Sequence, residues 1–438
     1  LSKPALSFEV LKSREFVCLM LARMCGVSAL QAQGVIIGWQ IYAMTKDPLL
    51  LGLTGLAEAV PALSCALFAG NVVDHSRPQR IGLICFGTLL VNTLVLFLIG
   101  SGMVPLLTHH FLPVAYTAIF ISGVVRSFIM PTSFSLLAQI VARPDLPSAT
   151  AWMSNGFQVA TIVVPALTGV VYGAFGAAVA WAFPVIFMAG AFTAMSLINP
   201  GPKRPPTARE ETMVQSIRAG WAFIWRNPVL LGAMALDMVA VLFGGAVALL
   251  PAIASDVLHA GSTGMGILRS APAVGAILMG LFLATRPMKH ISVRRLLWVV
   301  VGFGGSMIGF GLSGDLWLSA LFLALSGVFD SVSVVIRQTL MQLLTPPDMR
   351  GRVSSVSSMF VVSSNELGAL ESGVLAKAIG LVPAVVVGGA GSILVAGLAA
   401  VCAPAIRDTV IDTAAPPPLA RGEMRSEQAE ETALRGEG

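Results

Sequence analysis

The chain has 438 residues, 56% of them hydrophobic and only 11% charged, with a mean hydropathy of +0.84 and a formal net charge of +5. A soluble globular chain carries roughly 25% charged residues, so this composition excludes a soluble domain and requires a polytopic membrane protein. The basic balance does not speak for nucleic acid, because the Lys and Arg are spread over short loops, as membrane topology requires.

Apolar runs long enough to cross roughly 30 Å of hydrocarbon fall at 16–43, 48–73, 81–107, 110–133, 149–174, 177–199, 228–254, 263–285, 295–313, 315–338, 353–377 and 379–404. They predict twelve spans. The first run is too long for a secretory signal and lacks a small-residue cleavage site. Between the second and third runs lies Gly70-Asn-Val-Val-Asp74-His75-Ser-Arg77-Pro-Gln-Arg80. A small residue allows close helix packing, Asp serves a helix N-terminus, and Arg serves a helix C-terminus or a lipid phosphate. An ordinary positively charged loop fits the same residues.

After the sixth run, Pro200, Pro202, Pro205 and Pro206 end any helix. Val214, Ile217, Trp221 and Ile224 then recur at helical spacing beside Arg218 and Arg226. This predicts an amphipathic helix on the membrane surface. Asn227-Pro228 predicts the cap and first turn of the seventh span. The expected organisation is a six-helix bundle over 1–199, a cytoplasmic linker with its amphipathic helix over 200–227, a second six-helix bundle over 228–404, and a disordered cytoplasmic tail over 405–438.

Of the 27 Lys and Arg, Lys46 and Lys377 fall on the outer side when both termini are cytoplasmic. Arg23, Arg126, Arg269 and Arg337 fall inside spans, and the remaining 21 lie on the cytoplasmic side. That asymmetry fixes the expected orientation. The five cysteines sit in apolar runs without metal spacing and read as small core residues. The five histidines fall in loops, and His109-His110 reads as a solvated pair. There is no GxxxxGK[ST] loop for ATP. Neither an enzyme constellation nor a cofactor or metal site is expected.

The halves repeat. Gly123-Val-Val-Arg126-Ser127 matches Gly327-Val-Phe-Asp330-Ser331, and Pro61-Ala62 echoes Pro272-Ala273. The predicted fold is therefore an all-α membrane protein, twelve transmembrane helices in two pseudo-symmetric six-helix bundles. Nine ionisable residues lie within spans: Arg23, Glu58, Arg126, Asp237, Arg269, Asp330, Arg337, Glu366 and Glu371. Each is costly in lipid and needs a cavity or a partner. Glu58 and Arg269 hold matched places with opposite charge, and so do Arg126 and Asp330. Arg23 and Arg337 lie near span ends, where snorkelling to phosphate is the simpler reading. Glu366 has two readings. Desolvation suits it to carry a proton, and its Ser and Gly neighbours equally suit an interhelical hydrogen-bond cluster.

These residues resemble the major facilitator superfamily. Gly70…Asp74…Arg80 is similar to its signature between the second and third helices. Gly38-Trp39-Gln40, Gly52-Leu-Thr-Gly…Glu58-Ala-Val-Pro61, Thr345…Arg350-Gly351-Arg352 and Ser364-Asn365-Glu366-Leu367-Gly368 resemble the branch that includes bacterial siderophore exporters. His75, Pro78 and Gln79 depart from the signature, and Pro165…Gly169 is all that remains of the antiporter pattern in the fifth span. The resemblance implies alternating access around a central cavity.

The expected function is proton-coupled efflux of a small amphipathic organic molecule, a siderophore or drug-like compound, across a bacterial inner membrane. A proton-symporting importer and a non-transporting receptor or scaffold are the alternatives. Expected cavity residues are Trp39, Gln40, Glu58, Arg126, Asn155, Gln158, Arg269, Asp330 and Asn365. Glu366, Arg126, Asp237 and Glu371 are expected to couple protons. Gly70, Asp74, Arg80, Arg350 and Arg352 are expected to gate, with Asp74 meeting Arg352 or the N-terminus of the eleventh span. The partners expected are the substrate, protons and the bilayer, not nucleic acid, and the chain is expected to act as a monomer.

Overall fold

A computed structural model describes residues 8–103, 110–199, 213–286, 288, 290–346, 349–402 and 410–412. The spans start where the sequence supplies caps. Ser13, Asp47, Asn227, Ser292 and Asp315 each accept a backbone N–H in the first turn of the helix that follows. The first four spans are Arg14–Thr45, Pro48–His75, Pro78–Gly100 and Phe111–Ile140.

The fifth and sixth spans lie in one run, Leu146–Ser196, two helices that meet at the non-helical Gly176. At about 1.5 Å per residue this run is more than twice the thickness of the hydrocarbon. Gly176, with φ 80° and ψ −179°, turns the chain back without a loop.

The seventh span, Pro228–Phe243, continues through a 3-10 turn (Gly245–Leu249) and a short helical turn (Leu250–Ala252) into a π-turn at Ile253–Val257. The remaining spans are Gly261–Thr285, Val293–Leu312, Leu316–Leu344, Arg350–Ile379 and Leu381–Cys402. Among the described residues, ten helices pass a length-and-hydropathy test for crossing a membrane. Dividing the long run at Gly176 and adding Arg350–Ile379 completes twelve. The polar stretch Ser363–Ser372 keeps that eleventh span less apolar than its neighbours.

The repeat read from sequence reappears as packing. Gly123 lies against Pro61 and the Glu58 carbonyl, joining the fourth span to the second. In the other half Gly327 lies against the Pro272 carbonyl, joining the tenth to the eighth. Both crossings bring backbone so close that only glycine fits. The third, sixth, ninth and twelfth spans present large apolar residues outward, among them Ile84, Ile186, Trp298 and Leu394.

The linker helix, Met213–Arg226, does more than lie on a membrane surface. Gly220 packs on the Arg352 backbone, Trp221 stacks on Phe360 at 5.2 Å, and Ile224 is buried with Met234, Val353 and Val356. Ile224 and one side of Trp221 are thus spent on the second bundle, while Trp225 stays exposed. Within the segment expected to lack structure, Val410–Asp412 pairs antiparallel with His290–Ser292. The rest of 405–438 lies outside the described residues, apart from that strand.

Candidate functional site

The two bundles are sealed at the end that carries the turns after residues 45, 257 and 379. Lys46, at φ 51° after the first span, donates to Asp256 at 2.9 Å and to Ser255 at 3.0 Å. Tyr42 donates to the other Asp256 oxygen at 2.6 Å. The π-turn presents Ser255 and Asp256 to them. Lys377, in the last turn of the eleventh span, donates to Asp47 at 2.6 Å. That bond chiefly holds the Asp47 carboxyl below its ordinary pKa of 3.8. Since the lowered value belongs to the sealed state, the contribution is present above that range and is lost only as pH falls through it. This bridge is intact at neutral pH.

Both ion pairs are well exposed, and such pairs contribute roughly 0–1 kcal/mol. Backbone packing is the stronger seal. A Cβ on Gly169 would sit 2.6 Å from the Gly266 Cα, joining the fifth span to the eighth. A Cβ on Gly52 would sit 2.7 Å from the Ala369 carbonyl oxygen, joining the second to the eleventh. Gly266→Val is therefore expected to part this end. With the five native cysteines replaced by serine, a cysteine in place of Trp39, which packs against the second bundle's core there, should label several-fold faster with maleimide in that background. Unchanged labelling would show that the glycine crossing is not the seal.

Four charges meet where the bundles face each other. Arg126 pairs with Glu58 across the fourth and second spans. Glu366 lies against Gly55 of the second span, where a Cβ would be 2.8 Å from its Oε2. It is within electrostatic reach of Arg126 and Arg269. Arg269 reaches in turn toward Gly34 of the first span. Glu58 and Arg269, though matched in the repeat, form no direct bridge among the described residues: Glu58 pairs with Arg126 inside the first bundle. Two acids and two bases, one of each per bundle, form a charge-balanced set at the interface.

A second cluster lies inside the second bundle. Arg337 donates to Asp237 at 2.8 Å and Ser333 donates to it at 3.0 Å. Asp237 and Arg337 are 6% and 13% exposed, so Arg337 is an ion-pair partner and not a snorkelling end residue. Asp330 lines a gap of about 10 Å³ beside this pair, room for no more than about one water.

The other expected site residues divide. Gln40 donates to the Gly100 carbonyl at 2.7 Å and accepts from Trp181 at 3.1 Å, so its polar atoms are used inside the first bundle. Trp39 packs on the second bundle's core at the sealed end. Asn155, Gln158 and Asn365 are exposed. Glu371 accepts from Ser372 at 3.4 Å. Arg350 donates to the Gln342 and Thr345 carbonyls, neutralising the C-terminus of the tenth span. Arg352 holds the Met349 sulfur at 3.2 Å. Gly70 is helical and Arg80 exposed. The Asp74 side chain, on which the expected gate turns, lies outside the described residues. Sequence reasoning missed Tyr42, Asp47 and Asp256, although Lys46 and Lys377 stood out as the two cations on the wrong side.

The comparisons agree with this architecture. Residues 5–426 match the profile of the family described as Transmembrane secretion effector, MFS_3. The enterobactin exporter EntS of Citrobacter koseri is 25% identical over 399 residues, covering 89% of this chain and 92% of that protein. EntS of Shigella boydii is 25% identical over 373 residues, covering 83% and 86%. Among solved structures, a D-xylose-proton symporter superposes with TM-score 0.69 at 12% identity over 92% of this chain and 99% of that one. A POT family transporter in complex with 5-aminolevulinic acid gives 0.70 at 12% identity, covering 90% and 97%. Family and relatives are transporters, not enzymes. Spanning the membrane many times in two six-helix halves, this chain belongs to the transmembrane secretion effector family of the major facilitator superfamily.

Proposed function

We propose that this transporter exports a small amphipathic organic molecule across a bacterial inner membrane in exchange for protons, with both termini in the cytoplasm. The observation that carries this reading is the four-charge set at the bundle interface, Glu58–Arg126 with Glu366 and Arg269. Such charges are expensive within a membrane unless they serve transport or balance one another, and here the balance depends on one carboxylate facing both bundles. Protonating Glu366 leaves a guanidinium in each bundle without it. That couples proton occupancy to how closely the halves sit. With cytoplasmic termini the sealed end faces outward, and the conformation is the inward-open one, ready to receive substrate from the cytoplasm. The similarity to enterobactin exporters supports efflux and suggests a siderophore-like cargo.

The test is everted vesicles energised with a proton gradient and offered enterobactin and, separately, ethidium. Accumulation of either that collapses with a protonophore is the expected result. Gradient-driven loss from preloaded vesicles would make the protein an importer, and no gradient-dependent movement of either would remove proton-coupled export.

A further inference from the structure

The four-charge set is balanced, but the cavity face holds a fifth charge. Arg23, on the first span, makes no ion pair among the described residues. Its guanidinium reaches the Met130 sulfur at 3.2 Å, and its Nε is buried without a hydrogen-bond partner. A thioether is a poor substitute for a carboxylate as an acceptor of a charged donor.

Two periodicities place Arg23 on the inner face between the bundles. Gly34 lies eleven residues on, close to three helical turns, and it faces Arg269 of the opposite bundle. Arg23 therefore shares that face of the first span, about 16 Å nearer the unsealed end. On the fourth span Arg126, Met130 and Phe134 follow at intervals of four and are all exposed, Met130 by 46% and Phe134 by 53%. Residues four apart lie one above the other. Arg126 opens this stripe at the charge set, and Arg23 meets it one turn further out. The result is a strip with a guanidinium at Arg126, a second, unpaired one at Arg23, and a thioether and an aromatic ring beside it.

We propose that Arg23 is an anion-binding residue of the transport cavity and that the cargo is an amphipathic anion: an apolar or aromatic body lying on Met130 and Phe134, and a carboxylate, sulfonate or ionised phenol held by Arg23. This rests on the transport reading and narrows it to a substrate class. An unpaired guanidinium in a low-dielectric wall is costly, and an anionic cargo supplies the missing acceptor on each cycle. A cationic drug-like cargo is disfavoured by the same charge.

The test uses two fluorescent probes that share an anilinonaphthalene body, 8-anilino-1-naphthalenesulfonate and its uncharged parent N-phenyl-1-naphthylamine. Binding is measured on the full chain in nanodiscs, subtracting empty nanodiscs. Wild type should prefer the sulfonate, and Arg23→Gln should weaken sulfonate binding about tenfold while changing the neutral probe less than about twofold. Arg23→Lys should keep most of the preference. Met130→Glu, which gives Arg23 a carboxylate while leaving it in place, should lose the preference as Arg23→Gln does. Equal loss of both probes in Arg23→Gln, or undiminished sulfonate binding in Arg23→Gln or Met130→Glu, would overturn the proposal, as would a wild type that binds neither. Because the readout is binding, vesicles that fail to pump would refute export and leave the anion preference standing.

Discussion

Asp237→Ala is expected to destabilise the protein by about 3–5 kcal/mol, the usual cost of removing one partner from a buried ion pair. The pair is buried on both sides, Arg337 donates to Asp237 at 2.8 Å, and Ser333 adds a bond at 3.0 Å. Removing the carboxylate strands the Arg337 guanidinium, whose Nε already lacks a partner among the described residues. Ser333 loses its acceptor as well. Relief from Asp330 is limited, because it lies about two helical turns from Arg337 on the same span and carries its own desolvation cost. The expected observation is a large drop in membrane abundance and in melting temperature measured in detergent. The double substitution Asp237→Leu with Arg337→Met should recover most of both, since well-packed apolar groups replace a buried pair at little cost. If Asp237→Ala melts like wild type, the pair contributes no stability and its acid is free for another role.

The spans, the repeat and the Asn227 cap were legible because each rests on local chemistry. Apolar run length sets a crossing, Asn227 before Pro228 sets a helix start, and the match of Gly123 with Gly327 reflects the same backbone-on-proline crossing in both halves. Pairing was less legible. Glu58 and Arg269 occupy equivalent places in the repeat, yet Glu58 pairs with Arg126, because the second span crosses the fourth within its own bundle before it meets the other half. Sequence symmetry shows which residues are equivalent but not which ones touch. The apolar runs end at 174 and resume at 177, and only the positive φ reveals that Gly176 alone makes the turn between them. The bridges at the sealed end were hidden for a different reason. Tyr42 and Asp256 look unremarkable in sequence, and only the π-turn aims Asp256 back at the first span. The linker helix was recognised by its period, but an apolar face does not say whether lipid or protein covers it. Here Phe360 and Val356 do.

Glu366→Gln is expected to cut proton-driven accumulation in everted vesicles tenfold or more, a barrier change of at least about 1.4 kcal/mol, while leaving cargo binding nearly intact. Glutamine keeps the shape beside Gly55 but is neutral at every pH, so Arg126 and Arg269 experience the protonated condition permanently. Two guanidiniums, one per bundle, then repel without the acid between them, and Glu58 can answer only for Arg126. The halves should spend more time apart at this level, and the pH dependence of transport should vanish while downhill exchange of cargo persists. Glu366→Asp retains the titratable group and should restore part of the coupling. Arg126→Ala has a different signature. It frees Glu58 and removes the interface's exposed guanidinium, so both exchange and accumulation should fall at normal membrane abundance. If Glu366→Gln accumulates cargo with unchanged dependence on the gradient, the carboxylate is a packing residue held against Gly55. Coupling would then have to be sought at Asp330, which lines the small gap beside Asp237.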